Sequence, residues 1–181
     1  MNQAIFISGT PCTGKTTVSE ELSRKLGCKL IKINELAIEN DFILGTDEEK
    51  GYKIIDVDKL NTKVNEIIDD GDELTVFEGH LAHLCDGADK VIILRVHPDI
   101  LKERLSDRNY SDAKIRENLE AEAMGVCSAE AYGYYRDNIY EIDVSDLTVE
   151  NTVEVIEDII DDTADCPPGG IDFMDWLIDN P

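Results

Sequence analysis

An apolar run, Ala4-Ile5-Phe6-Ile7, leads at once into a glycine-bearing turn, Gly9-Thr10-Pro11-Cys12-Thr13-Gly14, and then into Lys15-Thr16-Thr17 with Val18, Leu22 and Leu26 following at helical spacing. A strand, a tight loop and an amphipathic helix in that order leave few folds open. The same residues fit the pattern G-x-x-x-x-G-K-[ST], whose glycines let backbone N–H groups turn inward toward phosphate oxygens. Lys15 then offers a point charge to the outer phosphates, and the Thr16 hydroxyl is a hard oxygen donor of the kind Mg²⁺ takes. The start of the helix adds its positive end. The expectation is a cradle for a nucleoside triphosphate built from Gly9, Cys12, Thr13, Gly14, Lys15, Thr16 and Thr17.

At 181 residues and 42% hydrophobic content the chain is long enough for one domain with a real core. Its net charge of −23 argues against binding the phosphate backbone of nucleic acid directly. Such acidity suits a basic protein partner, and it equally suits solubility in a salty cytosol. The five cysteines are scattered and never in C-x-x-C spacing, so reduced thiols are expected rather than a disulfide framework or a zinc site. No apolar run approaches the roughly 18 residues of a membrane span, and no leader pattern opens the chain. A soluble, cytoplasmic protein is the expectation.

Apolar runs predict strands at 3–8, 29–33, 73–78, 90–96 and 139–143, and amphipathic stretches predict helices at 15–26, 58–69, 98–107, 112–135 and 149–162. That alternation indicates an α/β fold with a five-stranded, mostly parallel sheet. Residues 1–163 form its body, interrupted by a charged, turn-rich insertion at 34–57 that could act as a substrate-side flap. A short lid is expected near 107–117. Cys166-Pro167-Pro168-Gly169-Gly170 breaks the last long helix and sets off 164–181 as a linker with an acidic amphipathic end, Phe173, Met174, Trp176, Leu177 and Ile178 among aspartates. That end could pack on its own domain or hook a partner.

Chemistry-bearing residues cluster near strand ends. Glu78-Gly79-His80 lies just past the predicted strand 73–78, where open parallel sheets bind ligands. Glu78 could hold a metal-bound water, and His80 could orient or deprotonate an attacking water or touch an acceptor. His83 and His97 have no comparable setting and are read as structural. Arg104 and Arg108 stand four apart at the end of a helix, so both guanidinium groups leave one face and can reach a nucleotide.

Taken together, Gly9 through Thr17, Glu78-Gly79-His80, Arg104-Leu105 with Arg108-Asn109-Tyr110, and Glu117-Asn118-Leu119-Glu120-Ala121-Glu122 resemble the small nucleotide kinases, and within them the adenylate kinase isoenzyme six type, the CINAP group with its archaeal homologues. The resemblance implies a P-loop nucleoside-monophosphate-kinase-like three-layer fold with an AMP-side insertion and a short lid. It implies ATP and Mg²⁺ as cofactors, with Lys15, Glu78, His80 and Arg108 in the chemistry, Thr16 and Glu78 at the metal, and Arg104, Arg108, Asp146 and Leu147 at the nucleotide. The implied reaction is ATP plus AMP to two ADP, with ATP hydrolysis beside it. Members of the group act in small ribosomal subunit maturation and bind a basic ribosomal protein of its platform. Two other readings stay open: a nucleotide-gated assembly chaperone, and a kinase for another small acceptor.

Two positions depart from the family pattern. Cys12 stands where the family usually has glycine, so the loop either tolerates a small side chain or differs there in φ and ψ. No arginine occurs between Arg24 and Arg95, the region where many AMP kinases clamp the acceptor phosphate. Lys50, Lys53, Lys59 and Lys63 are the available substitutes, and lysine lacks the forked contact of arginine, so weaker AMP engagement is expected.

Overall fold

The computed structural model describes residues 3–48 and 52–181. In chain order its elements begin with β1 (Gln3–Ser8), α1 (Lys15–Leu26), β2 (Lys29–Lys32), α2 (Ile33–Glu39), β3 (Ile43–Thr46), β4 (Lys53–Ile55), α3 (Val57–Asp70) and β5 (Leu74–Glu78). They continue with a 3₁₀ turn (Ala82–Leu84), β6 (Lys90–Arg95), α4 (Pro98–Ser106), α5 (Asp112–Ala123), α6 (Val126–Tyr135), β7 (Ile139–Asp143), α7 (Val149–Ile160) and α8 (Met174–Asp179).

Alternation along β1 dictates the layering. Ala4 and Phe6 face one side, Ile5 and Ile7 the other, and all four are buried, so both faces of the strand need cover. Ile5 and Ile7, with Val76, Ile92, Leu94 and Ile142, pack on α1, α4, α5 and α7. Ala4 and Phe6, with Phe77, Val91, Ile93 and Ile139, pack on α2, α3 and α6. The result is the three-layer α/β fold, with a five-stranded sheet in the order β2-β5-β1-β6-β7. Every pairing in it is parallel. The chain leaves β1 toward one edge and later returns to β1's other side as β6, which opens a crevice beyond the carboxyl end of β1.

Most of the expected elements lie within two residues of their observed bounds, and two regions differ. The single helix expected over 112–135 is two helices, α5 and α6, parted at Gly125, which takes φ 65°. That left-handed turn carries the chain from one face of the sheet to the other, with Leu119 and Ala123 packed in one core layer and Ala131 in the opposite one. The insertion at 34–57 contains structure that its mixed charge conceals. It holds α2 and a two-stranded antiparallel hairpin, β3–β4, with a register irregularity between Ile43 and Gly45.

The terminal segment packs on its own domain. Trp176 is 6% exposed and its Nε1 donates to Asp99 Oδ1 at 2.8 Å, while Phe173 meets the His97 ring edge-on at 5.3 Å. Among the described residues no helix is long and apolar enough to cross a membrane.

The break at Gly125 is open to a direct check. An alanine there would bring its methyl to 3.3 Å from Arg95 Nη1 and would have to hold φ 65°. Gly125→Ala should therefore cost about 1–2 kcal/mol, seen as a lower urea midpoint at unchanged slope. An unchanged midpoint would mean that the left-handed turn does not require glycine.

Candidate active site

The loop after β1 is shaped by residues with positive φ. Gly9 takes φ 140°, and a Cβ there would lie 2.5 Å from the Leu94 carbonyl oxygen, so the position requires glycine; Gly14 takes φ 100° as it caps α1. Cys12 adopts φ 69°. The loop therefore keeps the left-handed geometry that suits glycine and imposes it on a cysteine, at a cost of about 1 kcal/mol. Inside the loop the Thr10 carbonyl accepts from Lys15 Nζ at 2.8 Å and from Thr13 Oγ1 at 3.0 Å. Arg104 reaches across from α4, its Nη1 donating to the Cys12 carbonyl at 3.4 Å.

Beside the loop, Thr16 Oγ1 donates to Glu78 Oε1 at 3.2 Å. A hydroxyl and a carboxylate at that spacing are both hard oxygen donors and fit Mg²⁺, which takes few protein ligands alongside substrate phosphates. Burial raises the Glu78 pKa above the ordinary glutamate value, with the Lys15 charge and the Thr16 hydrogen bond opposing it. Burial likewise lowers that of Lys15, against the pull of Glu78. His80 is exposed as a residue. Burial by the surrounding cleft, then the Lys15 charge, pushes its pKa down to about 4. That exposure tempers the shift, and in either case the imidazole is mostly neutral at pH 7.

Cys12, Thr13, Gly14, Lys15, Thr16, Thr17, Glu78, His80, Arg104, Arg108 and Leu147 all line one cleft of about 1030 Å³. That is at the upper end for a small-molecule site. Gly9 and Asp146 do not line it: Gly9 packs the loop against β6, and Asp146 is exposed beyond β7. One wall, Val144, Leu147, Val149 and Thr152, is largely apolar. The opposite wall carries Asn34, Ile38, Tyr52, Lys53 and Ile55 from the insertion. Of the lysines considered as acceptor contacts, Lys53 is therefore in the cleft. Lys59 and Lys63 instead pair with Asp56 and Glu66, and Lys50 lies outside the described residues. His83 is buried outside the cleft, hydrogen-bonded to Ser8 Oγ at 2.7 Å and to Glu130 at 2.9 Å. His97 accepts from the Asp99 N–H at the start of α4.

Outside the cleft most cations have carboxylate partners, though Lys29, Lys102 and Arg136 have none among the described residues. Outside it, Arg24 pairs with Glu21, Lys25 with Glu157, Lys32 with Glu20 and Arg116 with Glu120. Within it, Lys53, Arg104, Arg108 and Lys114 have no carboxylate in ion-pair range among the described residues. In a chain with 40 carboxylates and 17 lysines and arginines, four cations without carboxylate partners in one cleft suit it to an anionic ligand.

A buried charge cluster underneath the loop escaped the sequence reading. Arg95, at the end of β6, donates through Nε to Glu122 Oε1 at 2.8 Å, through Nη1 to Glu141 Oε1 at 2.8 Å, and through Nη2 to the Glu122 carbonyl at 2.7 Å. Glu122 also accepts from Thr10 Oγ1 at 2.5 Å and from the Val96 N–H at 3.0 Å. Glu141 accepts from Ser128 Oγ and, at 2.6 Å, from the Gly169 N–H. The one signal in the sequence was an arginine closing an otherwise apolar strand, Val91-Ile92-Ile93-Leu94-Arg95. Its partners come from elements far apart in sequence. Removing Glu122 strands a buried guanidinium, so Glu122→Ala should lower unfolding free energy by about 3–5 kcal/mol. Chemical denaturation measures this, and a loss below about 1 kcal/mol would mean that the cluster is hydrated and slack.

The family model described as "AAA domain" matches residues 5–125. A protein named "Putative adenylate kinase" from Methanothermobacter thermautotrophicus is 40% identical over 174 residues, covering 96% of this chain and 99% of the relative. The protein of the same name from Methanosarcina barkeri is 41% identical over 182 residues, covering 96% and 98%. In fold, the structure is similar to a shikimate kinase from Bacteroides thetaiotaomicron, with a TM-score of 0.61 at 18% identity over 88% of this chain and 98% of that one. A matching family model over most of the chain, and relatives of this identity along nearly its whole length, place it beyond fold likeness alone: the chain belongs to this archaeal adenylate kinase family and is an enzyme, a P-loop phosphotransferase.

Proposed function

We propose that the protein transfers the γ-phosphoryl group of ATP to AMP, giving two ADP, and hydrolyses ATP when no acceptor is bound. The observation that carries this reading is the set of unpaired cations, Lys53, Arg104, Arg108 and Lys114, ringing Lys15 in a cleft with two unlike walls. The apolar wall with Leu147 suits the adenine of ATP, and Arg104 suits its ring or phosphates. Lys15 and the loop N–H groups take the outer phosphates, and Arg108 meets the migrating group, where positive charge matters more than covalent help. Gly9 serves by keeping the loop close to β6, and Asp146 has no direct nucleotide contact in this reading. Thr16 and Glu78 would hold Mg²⁺, which neutralises charge on the β and γ oxygens when bound. An AMP phosphate is already nucleophilic and asks for no general base. Hydrolysis needs its water oriented, a task within reach of Glu78 and the neutral imidazole of His80.

ADP formation from ATP and Mg²⁺, with and without AMP, tests the reading. AMP should accelerate ADP release, and Lys15→Ala or Glu78→Gln should each lower the rate by about 10²-fold or more. Glu78 must be ionised to act, and burial raises its pKa. Activity should therefore fall as pH drops through a value above the ordinary glutamate range. ADP release indifferent to AMP would end the adenylate kinase assignment.

The same reading extends to a setting: the cytoplasm, in maturation of the small ribosomal subunit, through a basic ribosomal protein of its platform. Family resemblance and the net charge of −23 support it. A purified basic platform protein should bind with an affinity that falls steeply as salt rises across the Debye regime. Absence of binding at low salt would remove this partner.

A further inference from the structure

The insertion that forms the second wall contains no arginine, and its contribution of charge to the cleft among the described residues is Lys53. A second cation arrives from the opposite side. Lys114 is the third residue of α5, whose first turn is capped by the Ser111 side chain accepting from the Lys114 N–H at 3.2 Å. Its ammonium lies 4.0 Å from the Tyr110 ring centroid and 5.4 Å from that of Tyr52. Tyr110 belongs to the connection between α4 and α5, and Tyr52 stands just before β4 of the hairpin. A lid-borne cation therefore sits between one ring of the lid and one ring of the opposite wall, and all three residues line the cleft.

Nothing about folding calls for lysine at this place. A cation in the first turn opposes the helix dipole, and the ammonium forms no ion pair among the described residues although carboxylates outnumber cations more than two to one in this chain. Aromatic faces hold an ammonium without neutralising it, so the charge stays available to an anion that offers full hydrogen bonds. Glu117, one turn along the same helix, also lines the cleft, so the anion has to approach from the side of the rings.

We propose that Lys114 is the anchor for the acceptor's phosphate, doing from the lid what arginine does not do from the insertion, with Tyr52 and Tyr110 as positioning residues that park the ammonium until that phosphate replaces them. The inference rests on the nucleotide kinase reading above and names the acceptor as a phosphomonoester. Because the parking place joins lid and hairpin, arrival of the acceptor exchanges a ring contact for a phosphate contact that still bridges both sides of the cleft.

Steady-state ADP formation across AMP and ATP concentrations tests it in the wild type, Lys114→Met, Lys114→Arg and Tyr52→Leu, with thermal midpoints confirming folding. Lys114→Met should raise KM for AMP about tenfold and KM for ATP by less than about threefold; Lys114→Arg should recover most of the AMP term, and Tyr52→Leu should raise it by roughly two- to fivefold. Calorimetric titration of AMP into the wild type and Lys114→Met should show the same loss of affinity. An AMP constant within about twofold of wild type in Lys114→Met, or equal rises for AMP and ATP, overturns the assignment. If the wild type itself neither binds AMP nor makes ADP from it, the adenylate kinase reading fails instead, and the two failures are distinct.

Discussion

The Glu122 carboxylate is the point at which loop, sheet and helix α5 are tied together. It takes one hydrogen bond from Thr10 in the phosphate loop, one from Arg95 at the end of β6 and one from the backbone of Val96. The cost of burying these charges is offset only when the polar atoms find partners, and here each nitrogen of Arg95 has one. Thr10 in turn presents its carbonyl to Lys15 and Thr13. Lys15 is thus oriented through a chain of contacts that begins in α5. Glu141 continues the chain to the Gly169 N–H, which brings the terminal segment into the same arrangement.

A second theme is charge held back from neutralisation. The surface is crowded with carboxylates, and most cations there find partners. In the cleft, Lys15 and Glu78 are both disfavoured by burial and each is the other's principal relief. Such a pair is poised for a ligand that brings its own charge, since phosphate and a divalent ion together satisfy both groups. The remaining cations are held by weaker means, Arg104 on a loop carbonyl and Lys114 on aromatic rings. Those contacts orient the groups without cancelling them.

Much of the loop side of the cleft was legible along the chain. Gly9 through Thr17, Glu78, His80, Arg104 and Arg108 are readable because each lies at a strand or helix end whose period is visible in the apolar residues. The wall from the insertion was not. Its hairpin strands are only four and three residues long, and the α2 helix has seven, too short for periodicity to register. The helix expected to run on through 112–135 hid its break because Met124-Gly125 interrupts an otherwise helix-forming composition, and a lone glycine does not announce a change of face.

By itself the sequence determined the layered α/β fold, the place of the glycine-bearing loop after β1 and the kinship to nucleotide kinases, because alternation in buried strands and the spacing of a loop motif are local properties. Only the tertiary structure decided how Cys12 is accommodated, that the terminal helix docks at home, and that Glu122, Arg95 and Glu141 form one buried cluster. It alone set Lys114 against Tyr52, 62 positions away. These outcomes depend on contacts between segments distant in the chain, and such contacts leave no periodic trace in any one of them.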